Sequence, residues 1–308
     1  SCDQMKQWNK DGCSSTCSYI EKTSYLRLAC TVDDPHSKGV HIIPAAAVMS
    51  MNCAINPDSM GYVTIPSSWT SVPRGAFYNC VSLSYVQFDS ASSSLTSIDD
   101  YAFFGSNLEQ IEIPYSVTSI GERSFSMCNN LRSFVVKRNN QDNSFLHTIG
   151  AYAFYGTFKL SSQSIQVSIS NEVNTIGIGA FYGCTGMTYV SGFSSGQSEL
   201  TQIGDFAFSG SGITQFYIPH KITSIGVGAF LNCYNLNTVY IDHTTSTTFH
   251  IGDAAFYGCT TLNGIYSTNY GSSSQKIISI GKSAFYGCSR LYYTYFFEWN
   301  NNHYDSSP

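Results

Sequence analysis

The sequence predicts a solenoid of stacked, mainly β units, and three observations carry that expectation. Phenylalanine recurs at Phe77, Phe103, Phe125, Phe154, Phe181, Phe208, Phe230, Phe256 and Phe285, in steps running from 22 residues (Phe103 to Phe125) to 29 residues (Phe125 to Phe154). Five residues before each Phe stands an aliphatic: Val72, Ile98, Ile120, Ile149, Ile176, Ile203, Ile225, Ile251 and Ile280. After each copy the chain enters a short alternating stretch rich in β-branched and aromatic residues, the pattern of a half-buried strand. One such unit cannot bury its apolar side alone, so successive copies must stack.

Within a unit the elements follow a fixed order. Gly follows the aliphatic in seven of the nine copies, as at Gly177 and Gly226, and suits a tight turn repeated in every coil. Three residues after the Phe comes a cysteine (Cys80, Cys128, Cys184, Cys233, Cys259, Cys288) or a hydroxyl (Ser106, Thr157, Ser211). A small, half-polar group at one fixed place suits an inward position against the backbone of the adjacent coil. The six thiols of this column are therefore expected to be buried and reduced. Strands are expected near residues 85–88, 110–113, 133–136, 215–218, 238–241 and 264–267, all in one sheet. Pro66, Pro114 and Pro219 stop three strands, because Pro cannot donate to the next ladder rung. The extra length of the longer copies falls at 90–94, 137–144, 194–198, 243–248 and 268–276, which predicts loops along one edge.

The copies "LEQIEIPYSVTSIGERSFSMCNNL" (108–131) and "ITQFYIPHKITSIGVGAFLNCYNL" (213–236) resemble units of the BspA-like leucine-rich-repeat family, over about residues 60–296. The resemblance implies a leucine-rich-repeat solenoid: right-handed, mainly β, with a parallel sheet on its concave side and short helical or 3₁₀ turns elsewhere. About nine to ten repeats of 22–29 residues are expected. It also implies a secreted or surface-displayed protein of a kind associated with adhesion. Residues 1–59 depart from the pattern and are expected to form an N-terminal cap, with the repeats at 60–296 and a tail at 297–308.

Five cysteines, Cys2, Cys13, Cys17, Cys30 and Cys53, crowd the first 53 residues at irregular spacing. Such a cluster suits disulfides in an oxidising compartment. The first four are expected to form two bridges of unassigned connectivity that pin the cap, while Cys53 fits a degenerate copy of the repeat. Zinc is the rival reading, but "CSSTC" has no matching second pair and no His at ligand spacing. The chain opens on "SCDQ", which leads us to expect a mature form whose signal peptide has been removed.

Composition narrows the function classes. A net charge of −5 argues against nucleic acid or anionic lipid as the main partner. No apolar run approaches the roughly 18 residues of a membrane helix. "GIGAF" and "GVGAF" imitate half of a dinucleotide fingerprint, yet no helix-length segment follows and the third Gly is missing. "GFSSG" at 192–196 matches a serine-hydrolase elbow around Ser194, but the chain returns straight to the repeat instead of entering a helix. The histidines, His36, His41, His147, His220, His243, His250 and His303, show no metal-binding spacing, with "DDPH" and "DHTTSTTFH" as weak candidates. No catalytic residue, metal site or cofactor is predicted.

Binding is the leading reading. Along the strands the outward position reads Gln87, Glu112, Val135, Gln166 and Ser191, then Tyr217, Tyr240, Tyr266 and Tyr295. Adjacent strands lie about 4.8 Å apart, so the last four form a tyrosine ladder on the concave face. Tyr offers large contact area and a hydroxyl at low entropy cost; cross-strand pairing that merely stabilises the sheet is the plainer role. The expected partner is a protein or glycan at a surface, met by this ladder or by the loop edge. The rival is a structural subunit that assembles head-to-tail through an open C-terminal coil, since an uncovered solenoid end invites another chain. The absence of any N-x-[ST] sequon suits a surface kept bare for packing, or a prokaryotic source. An enzyme ranks third.

Overall fold

The structure is a computed structural model that describes residues 17–22, 25–30, 53–89, 94–139, 143–158, 165–193, 197–242, 249–267 and 277–294. The chain divides into two units, Ser1–Met51 and Asn52–Pro308. In the first, β1 (Cys17–Lys22) and β2 (Tyr25–Cys30) pair antiparallel, with Cys17 opposite Cys30. Cys2 and Cys13 lie outside the described residues.

The second unit is the repeat. Long and short strands alternate along it: β3 (Tyr62–Ile65), β4 (Ser71–Val72), β5 (Tyr85–Phe88), β6 (Ser97–Ile98), β7 (Gln110–Ile113), β8 (Ser119–Ile120), β9 (Ser133–Val136) and β10 (Thr148–Ile149). They continue as β11 (Ile165–Ser168), β12 (Thr175–Ile176), β13 (Met187–Ser191), β14 (Gln202–Ile203), β15 (Gln215–Ile218) and β16 (Ser224–Ile225). The series closes with β17 (Thr238–Ile241), β18 (Phe249–Ile251), β19 (Gly264–Ser267), β20 (Ile277–Ile280) and β21 (Tyr293–Thr294). The even-numbered strands from β4 to β20 form one parallel nine-stranded row. Its two-residue members are too short to show a period in sequence, so only their aliphatic was legible.

The six expected long strands all form, but not in one sheet. β3 to β13 make a six-stranded sheet and β15 to β21 a four-stranded one. Between β13 and β15 the pairing begins, with Thr214 N–H donating to Thr188 O at 3.1 Å, and does not propagate into a ladder. Local irregularity accounts for this. The register of β11 against β13 slips at Ile165/Gln166, and Gly192 turns the chain out at φ +106° directly after β13. The slip also puts Ser168, and not Gln166, in line with Val135 and Ser191. The short-strand row runs unbroken past this point through β12, β14 and β16, so the stack itself is not interrupted.

A third row of backbone bonds closes each coil. In all nine copies the residues two before and two after the Phe have positive φ, for example Tyr101 (57°) and Gly105 (64°) around Phe103. This alternation aims successive N–H groups in two directions. Tyr101, Phe103 and Gly105 donate to Glu122, Ser124 and Ser126 of the next coil, while Ala102, Phe104 and Ser106 donate to residues three back in their own. The bonds three back are those of a helical turn, the element that the family resemblance implies between the strands. The left-handed residues divert every second donor to the neighbour, and no α-helix occurs among the described residues. A non-Gly residue pays about 1–2 kcal/mol for that conformation. Stacking offsets part of the cost at Arg123, whose guanidinium lies 4.9 Å from the Tyr152 ring, itself a left-handed residue.

The core is a ladder of rings. Phe77, Phe103, Phe125, Phe154, Phe181, Phe208, Phe230, Phe256 and Phe285 stack in order, centroids 5.0 to 5.4 Å apart and planes within 11°. Coils must approach closely to stack so, and the Gly that follows the aliphatic in seven of the nine copies permits it. A Cβ on Gly177 would stand 2.6 Å from Ala151 N, and one on Gly226 2.7 Å from Gly204 C. Neither has positive φ, so these glycines serve coil-to-coil approach and not the tight turn expected of them.

The cysteine column is also corrected. Cys128, Cys184, Cys233 and Cys259 are buried thiols, whereas Cys288 is half-buried and Cys80 is oxidised, bonded to Cys53. From Cys128 onward each column thiol donates to the Phe carbonyl of the preceding coil, at 3.0 to 3.1 Å. Thr157 Oγ1 does the same toward Phe125 O at 2.6 Å. For Cys80 the preceding coil offers Cys53 instead, at a Cα–Cα distance of 5.3 Å, and a covalent bond replaces the thiol-to-carbonyl contact.

Candidate binding face

The long strands point alternate side chains to opposite sides. In β15 and β17, Phe216, Ile218, Val239 and Ile241 face the core, leaving Gln215, Tyr217, Thr238 and Tyr240 half-buried on the outer side. Registers are direct: Tyr217 opposite Tyr240, and Tyr240 opposite Tyr266. The first pair stacks at 4.6 Å with planes 16° apart, while the second is wider, 6.0 Å and 34°. The difference originates at Gly264. A Cβ there would lie 2.5 Å from the Tyr266 ring, so that ring leans back over its own strand into space only Gly leaves open. Burial, then the adjoining Tyr240 and Tyr189, push the Tyr217 pKa above its ordinary value, so the hydroxyl stays a protonated donor at neutral pH.

Three predicted ladder residues therefore come together, and the fourth, Tyr295, lies outside the described residues. The same face carries aromatics that the sequence reading missed. Tyr189 is half-buried and adjoins Tyr217, two residues before Ser191 in β13. Tyr62 and Tyr85 stack at 4.5 Å at the first strand position, where the outward row was not sought. Tyr85 Oη meets Glu109 Oε2 at 3.3 Å, and that carboxylate raises its pKa. Between the two aromatic zones lies a charged stretch, with Lys137 Nζ 2.7 Å from Glu112 and Arg132 3.9 Å from Glu109. At the strand ends below the ladder, His220 Nδ1 stands 3.7 Å from Asp242.

The other singled-out residues have structural surroundings or lie elsewhere. His147 Nδ1 is 3.3 Å from Glu172 O, and His250 Nδ1 2.6 Å from Ser279 Oγ. Ser194, His36, His41, His243 and His303 are outside the described residues, as is most of the expected loop edge. Among the described residues no three His, Cys, Asp or Glu side chains gather as a metal site, and no helix is long and apolar enough to cross a membrane.

Stacked parallel coils of this length, with one aliphatic, one Phe, one long strand and one short strand each, define a leucine-rich-repeat solenoid. The family model described as "BspA type Leucine rich repeat region" matches in six copies, over residues 49–168 and 147–291. The chain belongs to the BspA-type leucine-rich repeat family. A search of curated proteins finds no match. Among solved structures, a leucine-rich repeat protein from Bacteroides ovatus is 20% identical, over 91% of this chain and 81% of that one, with a TM-score of 0.50. A leucine rich cell surface protein from Faecalibacterium prausnitzii is 26% identical over 70% of this chain, with a TM-score of 0.39. The match spans 61% of that protein's length. A leucine-rich repeat protein of T. pallidum is 21% identical, over 75% of this chain and 83% of that one, with a TM-score of 0.44.

Proposed function

We propose that this chain is a non-catalytic, extracellular or surface-displayed binding protein whose outer strand face recognises a protein or glycan. The observation that carries the reading is the in-register tyrosine row, Tyr217, Tyr240 and Tyr266, half-exposed on rigid strands and continuing in sequence to Tyr295. Rigid aromatic surface with a hydroxyl rim suits both peptide and sugar faces at low ordering cost. The named surface location of the Faecalibacterium relative supports the extracellular placement. Two disulfides among Cys2, Cys13, Cys17 and Cys30, of unassigned connectivity, belong to the same reading, since such a cluster suits an oxidising compartment. The test is retention of the protein on protein and glycan arrays and on cell surfaces, compared between wild type and Tyr240→Ala. Equal retention by both would remove the ladder from the reading.

A second reading, self-assembly, is favoured by the last described coil, where Tyr286 and Tyr292 remain 53% and 78% exposed. Electron microscopy of the purified protein separates the two, because this reading requires filaments and the first does not.

A further inference from the structure

The position three residues after each Phe is one column through the stack, and its order is informative. It runs Cys80, Ser106, Cys128, Thr157, Cys184, Ser211, Cys233, Cys259, Cys288, and Cys53, which has no Phe three residues before it, precedes Cys80 in the degenerate first copy. In the middle, hydroxyl residues flank each thiol on both sides, as Ser106 and Thr157 flank Cys128, with Ser106 Oγ 3.5 Å from its sulfur. Cysteines stand in succession only at the two ends. At the first end the neighbours are bonded, Cys53 to Cys80. At the other end Cys233, Cys259 and Cys288 are thiols in consecutive coils.

The last two coils place their cysteines at the same position of consecutive turns. Phe256 N–H donates to Ala284 O at 2.8 Å and Gly258 N–H to Tyr286 O at 2.7 Å, fixing the register directly before the pair. Gly287 rests on Gly258, with space for a Cβ only 3.4 Å from the Gly258 Cα. One carbonyl, Phe256 O, accepts both the Cys259 N–H at 3.2 Å and the Cys288 Sγ at 3.1 Å. Cys259 is buried, whereas Cys288 is half-buried and open to solvent on one side.

We propose that Cys259 and Cys288 are a second inter-coil disulfide site, closed by thiol–disulfide exchange with an incoming low-molecular-weight or protein disulfide. Entry is at Cys288. Interaction with Cys259 outweighs burial and holds the Cys288 thiol below the ordinary value, and the thiolate is the attacking species. Interaction with Cys233, then with Cys288, together with burial, pushes the Cys259 thiol up, so it waits protonated. The Cys288 thiolate attacks one sulfur of RS–SR, the S–S bond breaks, and RS⁻ leaves with the proton Cys288 gave up. Cys259 then attacks the Cys288 sulfur, the mixed disulfide breaks, and the second RS⁻ leaves with the Cys259 proton. Two protein thiols are oxidised and RS–SR is reduced to two RSH.

The experiment is non-reducing peptide mapping of the full chain after exposure to oxidised glutathione. A cross-linked peptide joining Cys259 to Cys288 is expected, lost in Cys288→Ser and retained in Cys128→Ser. Serine already occupies this column at Ser106 and Ser211, so both variants are compatible with the fold; circular dichroism confirms it. Persistence of both thiols, glutathione left on Cys288, or a bond from Cys233 to Cys259 would each overturn the proposal.

Discussion

The thiol of Cys128 donates to the carbonyl of Phe103, 3.0 Å away in the preceding coil. Burial pushes that thiol from its usual value near 9 up to about 12, with Ser106 and Gly105 opposing only in part. The folded state therefore holds the neutral form where the unfolded chain ionises. Its contribution is fully present below pH 9 and is lost as pH rises toward about 12. The slope is about 1.4 kcal/mol per pH unit for one such group. Denaturant unfolding of wild type and Cys128→Ser across this range should show the steeper loss in wild type. Parallel curves would mean that the thiol ionises without penalty in the fold.

Close approach of coils is tested by adding one methyl. Gly177→Ala should lower stability by about 1–3 kcal/mol, since its Cβ meets backbone that no rotamer can move. Gly75→Ala meets nothing nearer than 3.9 Å, and its positive φ should cost only about 1 kcal/mol. Melting curves of the two variants rank the effects, and the reverse order would return the glycines to a turn role.

Removing a rung of the ring ladder should be severe. Phe181→Ala takes a fully buried ring from between Phe154 and Phe208, and a cost of about 3–5 kcal/mol is expected. Ile178, 47% exposed in the same coil, should tolerate Ala with a loss of about 0.5 kcal/mol or less. Chemical denaturation measures both, and similar losses would show that the stack contributes little.

For the tyrosine face, two quantities separate recognition from sheet packing. A buried aromatic anchor truncated to Ala commonly costs about 2 kcal/mol or more of binding. A cross-strand pair contributes roughly 0.2–1 kcal/mol to folding. Tyr240→Ala should therefore weaken partner affinity more than tenfold while melting changes little. Unchanged affinity with a lowered melting point would assign Tyr240 to the sheet.

Much of this fold is legible in the chain because each coil repeats the same physical demand. Val86, Ile111 and Val239 alternate with outward residues, and all six long strands fall where the alternation places them. What the pattern hides is what passes between coils. The partner of Cys80 is one repeat away in a degenerate copy, so its oxidation cannot be read from its own phrase. The role of Gly177 is set by Ala151, and the left-handed Tyr101 and Ala254 carry no residue-type signal at all. Within the candidate site, Tyr217 and Tyr240 were visible from alternation. Tyr189 was not, because it stands two residues before Ser191, at the earlier outward position of its strand.

The interruption between β13 and β15 has a mechanical consequence. Elsewhere among the described coils a bending load is shared by three lines of hydrogen bonds, two of them strand ladders. At this joint the long strands form no ladder; among the described residues Gly212 N–H donates to Cys184 O and Thr214 donates to Thr188 O through both its N–H and its hydroxyl, while the short strands and Phe turns opposite remain tied. Compliance should concentrate there, making the protein two stiff segments about a leaf hinge. The tyrosine row begins directly on the far side of that hinge, so its angle to the charged stretch before it is the shape variable that is cheapest to change.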